Sequence, residues 1–420
     1  MNSTDHVGMS RRRWISIYTL IWTVVWATQL IPVQLLVPLQ LNTSDAADRW
    51  VAGVVHTGLV LLVGGISTLL VGPAAGWISD RLPGGHRRRP VAFAGTLFTA
   101  VGLLGLAFVS SPIPVAIAWV VASAGFGTLS GALLALIADQ LTRGERGAAS
   151  AAVSVAQAVG LIVGMGVIVT LDLGVRGGYL VLAVASVVVV GTCAAVLPDP
   201  APPVVAGSGT GVRGDMSSLR DAPFLWFLGS RLTINLGNAL AVSLLLFFLM
   251  HGLRVADAER TLLLLTVVYV VAAIVTSAVT GIATDRGSRR VPYVVTSAVV
   301  QALAAVLIVT GPTVPVTVVG GVLAGVGYGM YSTAGLALGT DLLPFPDAHG
   351  RDLAIVNAVQ TAPQLGGPMV GALLVSATGD FTALFVASAA LSTLGAALTL
   401  PLRRGETRRR HGQSPSTLRR

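Results

Sequence analysis

Arg231 lies about ten residues into an apolar stretch that begins near Asp221, and Asn235 and Asn238 follow it four and seven positions later. At 1.5 Å per helical residue that depth is roughly 15 Å, close to the middle of a bilayer. The spacing places all three side chains on one helix face. A guanidinium there offers a fork of donors to a pair of hydroxyls or to a carboxylate, and the amides both donate and accept. This is chemistry for holding a polar solute. The alternative role for Arg231 is structural, as the partner of a helix C-terminus or a buried carbonyl. No nucleophile–base pair, phosphate loop or metal cluster accompanies the three residues, so an enzyme is not expected.

Other apolar stretches carry matching polar faces. Ser150, Ser154 and Gln157 share one, and Asn357, Gln360 and Gln364 share another. Trp22, Trp26 and Gln29 share a third, with Pro32 and Gln34 just beyond, and Tyr328 and Tyr331 stand on a fourth stretch. Amides beside an aromatic platform suit a sugar. Taken singly, each residue also serves as glue between helices. Together they predict a polar cavity near the midplane, lined by Arg231, Asn235, Asn238, Gln29, Trp26, Gln157, Asn357, Gln360, Gln364 and Tyr331.

The elements that must position these residues follow from composition. Of 420 residues, 54% are hydrophobic and 11% charged, against about 25% charged in soluble proteins. Apolar runs near the length needed to cross a bilayer recur along the whole chain, and helices satisfy their own backbone there. A transmembrane barrel would show alternation with period two, which is missing. The pattern predicts an all-α integral membrane protein with twelve transmembrane helices in two pseudo-symmetric six-helix bundles. The spans fall near 14–40, 51–78, 90–110, 112–138, 148–171, 178–197, 222–250, 260–283, 291–310, 313–339, 352–376 and 381–402. The bundles are expected over 1–197 and 222–420, the second with a basic tail, joined by a cytoplasmic linker over 198–221 that is rich in Pro, Gly and Ser. The first run, Trp14 to Leu41, is too long for a signal peptide and reads as a span.

The net charge of +9 comes from arginines in short loops, so nucleic acid is not an expected partner. Of the 27 basic residues, all arginine, 22 fall on one side of the predicted topology. Only Arg49, Arg176, Arg254 and Arg260 fall on the other, and Arg231 is inside a span. Positive loops stay in the cytoplasm, which predicts both termini there, in a bacterial-type inner membrane. Cys193 is the single cysteine, so an intrachain disulfide is excluded. Small residues at helical spacing, Gly127 and Gly131, Gly160 and Gly164, and Gly321, Gly325 and Gly329, are expected at close helix contacts. His56 is the one histidine of six expected within a helix.

Two patterns repeat at offsets of 202 to 205 residues. Gly76-Trp-Ile-Ser-Asp80-Arg81 follows the second span and Gly281-Ile-Ala-Thr-Asp285-Arg286 the eighth, each trailed by further arginines. Asp139 leads to Arg146 after the fourth span, and Asp341 to Arg351 after the tenth. The pairs resemble the major facilitator superfamily, whose second loop carries Gly-x-x-x-Asp-Arg-x-Gly-Arg. Leu82-Pro83-Gly84-Gly85-His86 makes the first copy longer than the usual form. The glycines are expected to admit a neighbouring helix, and the aspartates to pair with a loop arginine or a helix N-terminus. Gating of the cytoplasmic side is thus assigned to Gly76, Asp80, Arg81, Asp139, Arg146, Gly281, Asp285, Arg286, Asp341 and Arg351.

A finer resemblance lies in Thr340-Asp341-Leu-Leu-Pro344, Gly350-Arg351-Asp352-Leu-Ala-Ile-Val-Asn357 and Ala362-Pro363-Gln364, with Arg231, Asn235, Gly237 and Asn238. These residues are similar to the glycoside–proton symporter branch that includes sucrose transporters. The resemblance implies a secondary transporter working by alternating access on a small polar solute, a sugar or glycoside, with protons as driving ion and no cofactor. No acidic residue lies mid-span, so Asp139 and His56 are the candidate proton carriers. A small-molecule substrate, protons and lipid are the expected partners of a monomer. The alternatives are a proton-antiport exporter of drugs or secondary metabolites, and a membrane sensor with a degenerate transporter fold. Gly366-Gly367-Pro368 stands in the eleventh span, whereas exporters of the superfamily carry glycine-proline in the fifth.

Overall fold

The computed structural model describes residues 10–42, 50–81, 88–141, 143–197, 220–286, 289–342 and 349–403. All regular structure among them is helical. Twelve long helical segments follow one another: α1 Arg11–Leu41, α2 Trp50–Arg81, α3 Arg88–Phe108, α4 Pro112–Gln140, α5 Arg143–Thr170, α6 Gly174–Val196, then α7 as Ala222–Ser243 with Leu245–Gly252. The rest are α8 Ala258–Arg286, α9 Val291–Thr310, α10 Val314–Asp341, α11 His349–Thr378 and α12 Thr382–Thr399. The expected linker, 198–221, lies almost wholly outside the described residues.

Proline explains several helix starts and distortions. It occupies the first turn of α4, α7, α9 and α10, where the missing N–H has no partner to lose. Within α1, Pro32 opens a π-helical turn, Pro32–Leu36, because its ring removes one rung of the ladder. Between the two parts of α7 the chain bends by 42°, with Leu244 outside helical geometry at φ −112° and ψ 19°.

Ten of these helices are long and apolar enough to cross a membrane, and α7 makes eleven if its bent parts form one span. The expected twelfth, α11, reaches 30 residues but carries Pro363, Pro368 and the amides Asn357, Gln360 and Gln364, and it does not reach the hydropathy of the others. It is long enough to span at 1.5 Å per residue, and too polar to do so facing lipid.

The chain divides into two compact units, Met1–Ser208 with Ala256–Leu263, and Gly209–Val255 with Leu264–Arg420. Inside the first, α1 packs on α5 and α6, α2 on α4, and α3 on α4 and α6. Inside the second, α7 packs on α11 and α12, and α9 on α10 and α12. α8 meets α10 where Ser277 donates to the Gly329 carbonyl at 2.9 Å. The two sets of pairings correspond helix for helix, which is the structural form of the repeat.

Glycine makes the tightest of these contacts. A Cβ at Gly160 would lie 2.2 Å from the Thr23 carbonyl oxygen of α1, and one at Gly127 2.9 Å from the Thr68 carbonyl of α2. In the second unit a Cβ at Gly325 would lie 2.3 Å from the Tyr269 carbonyl, and at Gly329 2.2 Å from that of Ala273. Without a side chain the backbones approach within van der Waals range and gain dispersion contacts that lipid cannot replace. Gly131 and Gly164 are similarly close, whereas Gly321 makes only an ordinary contact, 3.5 Å from Leu265 Cδ2.

The motif glycines behave differently from expectation. Nothing lies within 4 Å of a Cβ built at Gly76, and Gly281 would meet only Thr333 Cγ2 at 3.8 Å. In this conformation neither glycine lies against a neighbouring backbone among the described residues, and Gly281 makes only an ordinary side-chain contact with α10. The histidine expectation also needs correction, since His251 lies in the last turn of α7 and His349 opens α11.

The contrast between Gly160 and Gly166, both on α5, gives a test. Gly160→Ala should cost about 1–3 kcal/mol through overpacking against α1. Gly166, with nothing within 4 Å, should tolerate alanine or gain up to about 1 kcal/mol from helix propensity. Thermal melts of the purified variants in detergent measure both.

Candidate functional site

Arg231 stands near the middle of Ala222–Ser243 and is 3% exposed. Its Nε donates to the Val356 carbonyl of α11 at 3.3 Å, and its Nη2 donates to Gln360 Oε1 one turn further on. The Phe227 ring, one turn back on α7, has its centroid 5.8 Å from the guanidinium carbon, within cation–π range. The guanidinium thus bridges α7 to α11. One of its acceptors is a main-chain carbonyl, as in the structural role weighed for Arg231, and the other is a side-chain amide.

Asn235 is also buried, with Nδ2 donating to the Arg231 carbonyl at 2.7 Å and to the Tyr331 hydroxyl of α10 at 3.1 Å. Asn238 Nδ2 donates to the Tyr269 hydroxyl of α8 at 3.2 Å. The Tyr269 and Tyr328 rings lie 5.9 Å apart. The face read from the seventh span is therefore the hub of a polar network reaching α8, α10 and α11. Tyr269 and Phe227 were missed from sequence. A mid-span tyrosine is a detectable signal, while a phenylalanine one turn from an arginine is lost among apolar neighbours.

The remaining residues divide by exposure. Asn357, Thr361 and Gln364 form an exposed stripe on α11, and Gln360 is half-buried beside it. In the first unit Ser150, Ser154 and Gln157 form an exposed stripe on α5. Hydrocarbon offers these groups no partner, so exposed amides at membrane depth require a watery surface. α5 and α11 are counterparts in the repeat, each packed against the first helix of its unit.

On α1, Trp26 is half-buried against Trp22 and Phe126, with ring centroids 5.8 Å away in each case. The ring contacts continue edge-on from Trp22 to Tyr18 at 6.2 Å, and Tyr18 stacks on Trp14 at 4.7 Å. Four aromatics at four-residue spacing thus form a ladder, of which sequence reading took only Trp22 and Trp26. Their two indole N–H groups are buried without an acceptor among the described residues. Gln29 is half-buried.

Most of the expected gating side chains, those of Asp80, Arg81, Asp139, Arg146, Asp285, Arg286 and Arg351, lie outside the described residues. Asp341 is described. Its Oδ2 lies 2.6 Å from Arg290 Nη1, which also donates to the Ala337 carbonyl. In the first unit Arg89 Nε donates to the Leu197 carbonyl at 3.0 Å, and Arg88 Nη1 to Ser79 Oγ at 3.0 Å. Arg89 and Arg290 thereby bind helix C-terminal carbonyls, where the helix dipole favours a cation. Of the candidate proton carriers, His56 is half-buried on α2, and the Asp139 side chain is outside the description.

The Major Facilitator Superfamily matches the chain over residues 15–259 and 258–419, and the chain belongs to that superfamily. No curated protein matches it. Among solved structures it is similar to the nucleoside transporter NupG, with 12% identity, TM-score 0.70, and coverage of 94% of this chain and 99% of that one. A bacterial homologue of the human lysosomal transporter Spinster is similar at 15% identity and TM-score 0.72, covering 94% and 97%. The xylose transporter XylE from E. coli is similar at 14% identity and TM-score 0.67, covering 93% and 98%. At these identities the likeness speaks for the fold.

The network makes a stability prediction. Tyr331→Phe leaves the buried Asn235 amide with one acceptor fewer and should cost about 1–3 kcal/mol. A comparable melt of Asn357→Leu, on the exposed stripe, should change stability by less than about 0.5 kcal/mol.

Proposed function

We propose that this superfamily member is a secondary active transporter for a small polar organic solute, a sugar or glycoside, moved by alternating access and coupled to protons. The observation that carries the reading is the pair of exposed polar stripes on repeat-equivalent helices, Ser150, Ser154 and Gln157 on α5 and Asn357, Thr361 and Gln364 on α11. Ser154 and Thr361 bond carbonyls one turn back, but the amides Gln157, Asn357 and Gln364 are stable at membrane depth only beside water, and an aqueous path lined by hydrogen-bonding side chains is what a polar solute needs. The Arg231 network stands one turn behind the α11 stripe, and the Trp22–Trp26 pair supplies aromatic faces with free indole donors. The choice of sugars rests on the motifs of α7, α10 and α11 that resemble glycoside–proton symporters.

In this reading the protein resides in a bacterial-type inner membrane with both termini in the cytoplasm, as the arginine asymmetry implies. Arg290 and Asp341, with the repeated Asp80 and Asp285 motifs, belong to a cytoplasmic latch that re-forms in each cycle. The second reading, export by proton antiport, is tested by the same experiment.

Purified protein in liposomes loaded with a pH-sensitive dye is challenged from outside with disaccharides and then with cationic drugs, without an imposed gradient. Internal acidification on sugar addition, abolished in Arg231→Ala, is the expected result. Alkalinisation as a drug enters, with no response to any sugar, would replace the symport reading by exchange.

A further inference from the structure

The charge around Arg231 narrows the solute class, an inference that rests on the transport reading and deepens it. Arg231 carries a fixed positive charge and is 3% exposed. Its contacts are neutral groups: the Val356 carbonyl, the Gln360 amide oxygen, the Phe227 ring and the Tyr331 hydroxyl. Among the described residues no carboxylate lies within ion-pair distance of it; the pairs present are Arg260–Asp257 and Arg290–Asp341. The other ionisable groups close to it are the α10 phenols Tyr328 and Tyr331.

Hydrogen bonding and charge compensation separate at this point. The hydrogen bonds to Val356 and Gln360 use two of the five guanidinium N–H groups. Gln360 satisfies a donor without cancelling the charge. A buried ion left without a counter-ion is costly, and a neutral sugar in place of Gln360 leaves it so. An oxyanion accepts the fork through two oxygens and neutralises it at the same time.

We propose that Arg231 is the receptor for an oxyanionic group of the solute, so that the protein transports an organic acid, such as a sugar acid or sugar phosphate, in preference to a neutral sugar. Gln360 is a neutral placeholder at Nη2, displaced when the anion arrives. The Phe227 ring and the phenols of α10 keep the site lean in competing negative charge, which raises the selectivity for an anion over a polyol of the same shape.

Matched probes test the charge directly. The purified full-length protein is melted with glucose, glucuronate, glucose 6-phosphate, lactose and lactobionate, and uptake of each is measured in proteoliposomes. At least one acid should raise the melting temperature and bind at least about tenfold more tightly than its neutral partner. A carboxylate or a phosphate as the better ligand identifies the group. Arg231→Gln should erase that preference, and Arg231→Lys, which keeps the charge but loses the fork, should restore part of it. Gln360→Ala, which leaves the cation in place, should tighten acid binding severalfold, and it decides the matter if Arg231→Gln fails to fold. Neutral sugars binding as well as their acids, acid binding retained in Arg231→Gln or lost in Gln360→Ala, or no acid shifting the protein at all would each overturn the proposal. Arg231-dependent uptake of a neutral sugar that equals or exceeds uptake of its acid would remove the anion assignment while leaving the transport reading intact. Absence of uptake for every solute would remove both.

Discussion

Hydrocarbon cannot hydrogen-bond, and this constraint governs the placement of every polar group in the chain. The backbone answers it with helices throughout the described residues. Threonine and serine hydroxyls answer it by bonding carbonyls one turn back, as Thr96, Thr99 and Thr284 do. The long polar side chains have fewer options. They pair inside a unit, as Gln40 does with Tyr179 and the Leu106 carbonyl, or they face water, as the stripes on α5 and α11 must. Sorting residues by these two solutions separates structural amides from those available to a solute.

Where side-chain polarity is scarce, cohesion has to come from shape. Each unit is held by glycines that let carbonyl-bearing backbones touch: Gly160 against α1, Gly127 against α2, and Gly325 and Gly329 against α8. Small-residue contacts of this kind have little side-chain interlocking to undo, so they suit helices that change their relations during a cycle. The motif glycines Gly76 and Gly281 lack such contacts here, so whatever need they serve is not met by packing in this conformation.

Arg231 ties two helices of its unit together. By bridging α7 to α11 through Val356 and Gln360 it fixes the position of the α11 polar stripe relative to the Tyr331–Asn235 pair. The same guanidinium remains electrically uncompensated by any carboxylate among the described residues.

The membrane class, the helix boundaries and the repeat were legible from residue types alone, because hydrophobic length and loop charge act locally and are written in order along the chain. The polar face of α7 was legible for the same reason, since helical spacing places Arg231, Asn235 and Asn238 together without reference to any other element. Partners were not legible. That Asn235 turns to Tyr331, that Asn238 meets Tyr269, and that Asn357 and Gln364 stay exposed while Gln360 turns to Arg231 all depend on the azimuth of each helix against its neighbours. Helix rotation is set by which glycines admit a neighbouring backbone, and a glycine's position in the sequence does not say whether a backbone lies against it. Periodicity thus determined which residues share a face, and only the packing of helix against helix decided what that face meets.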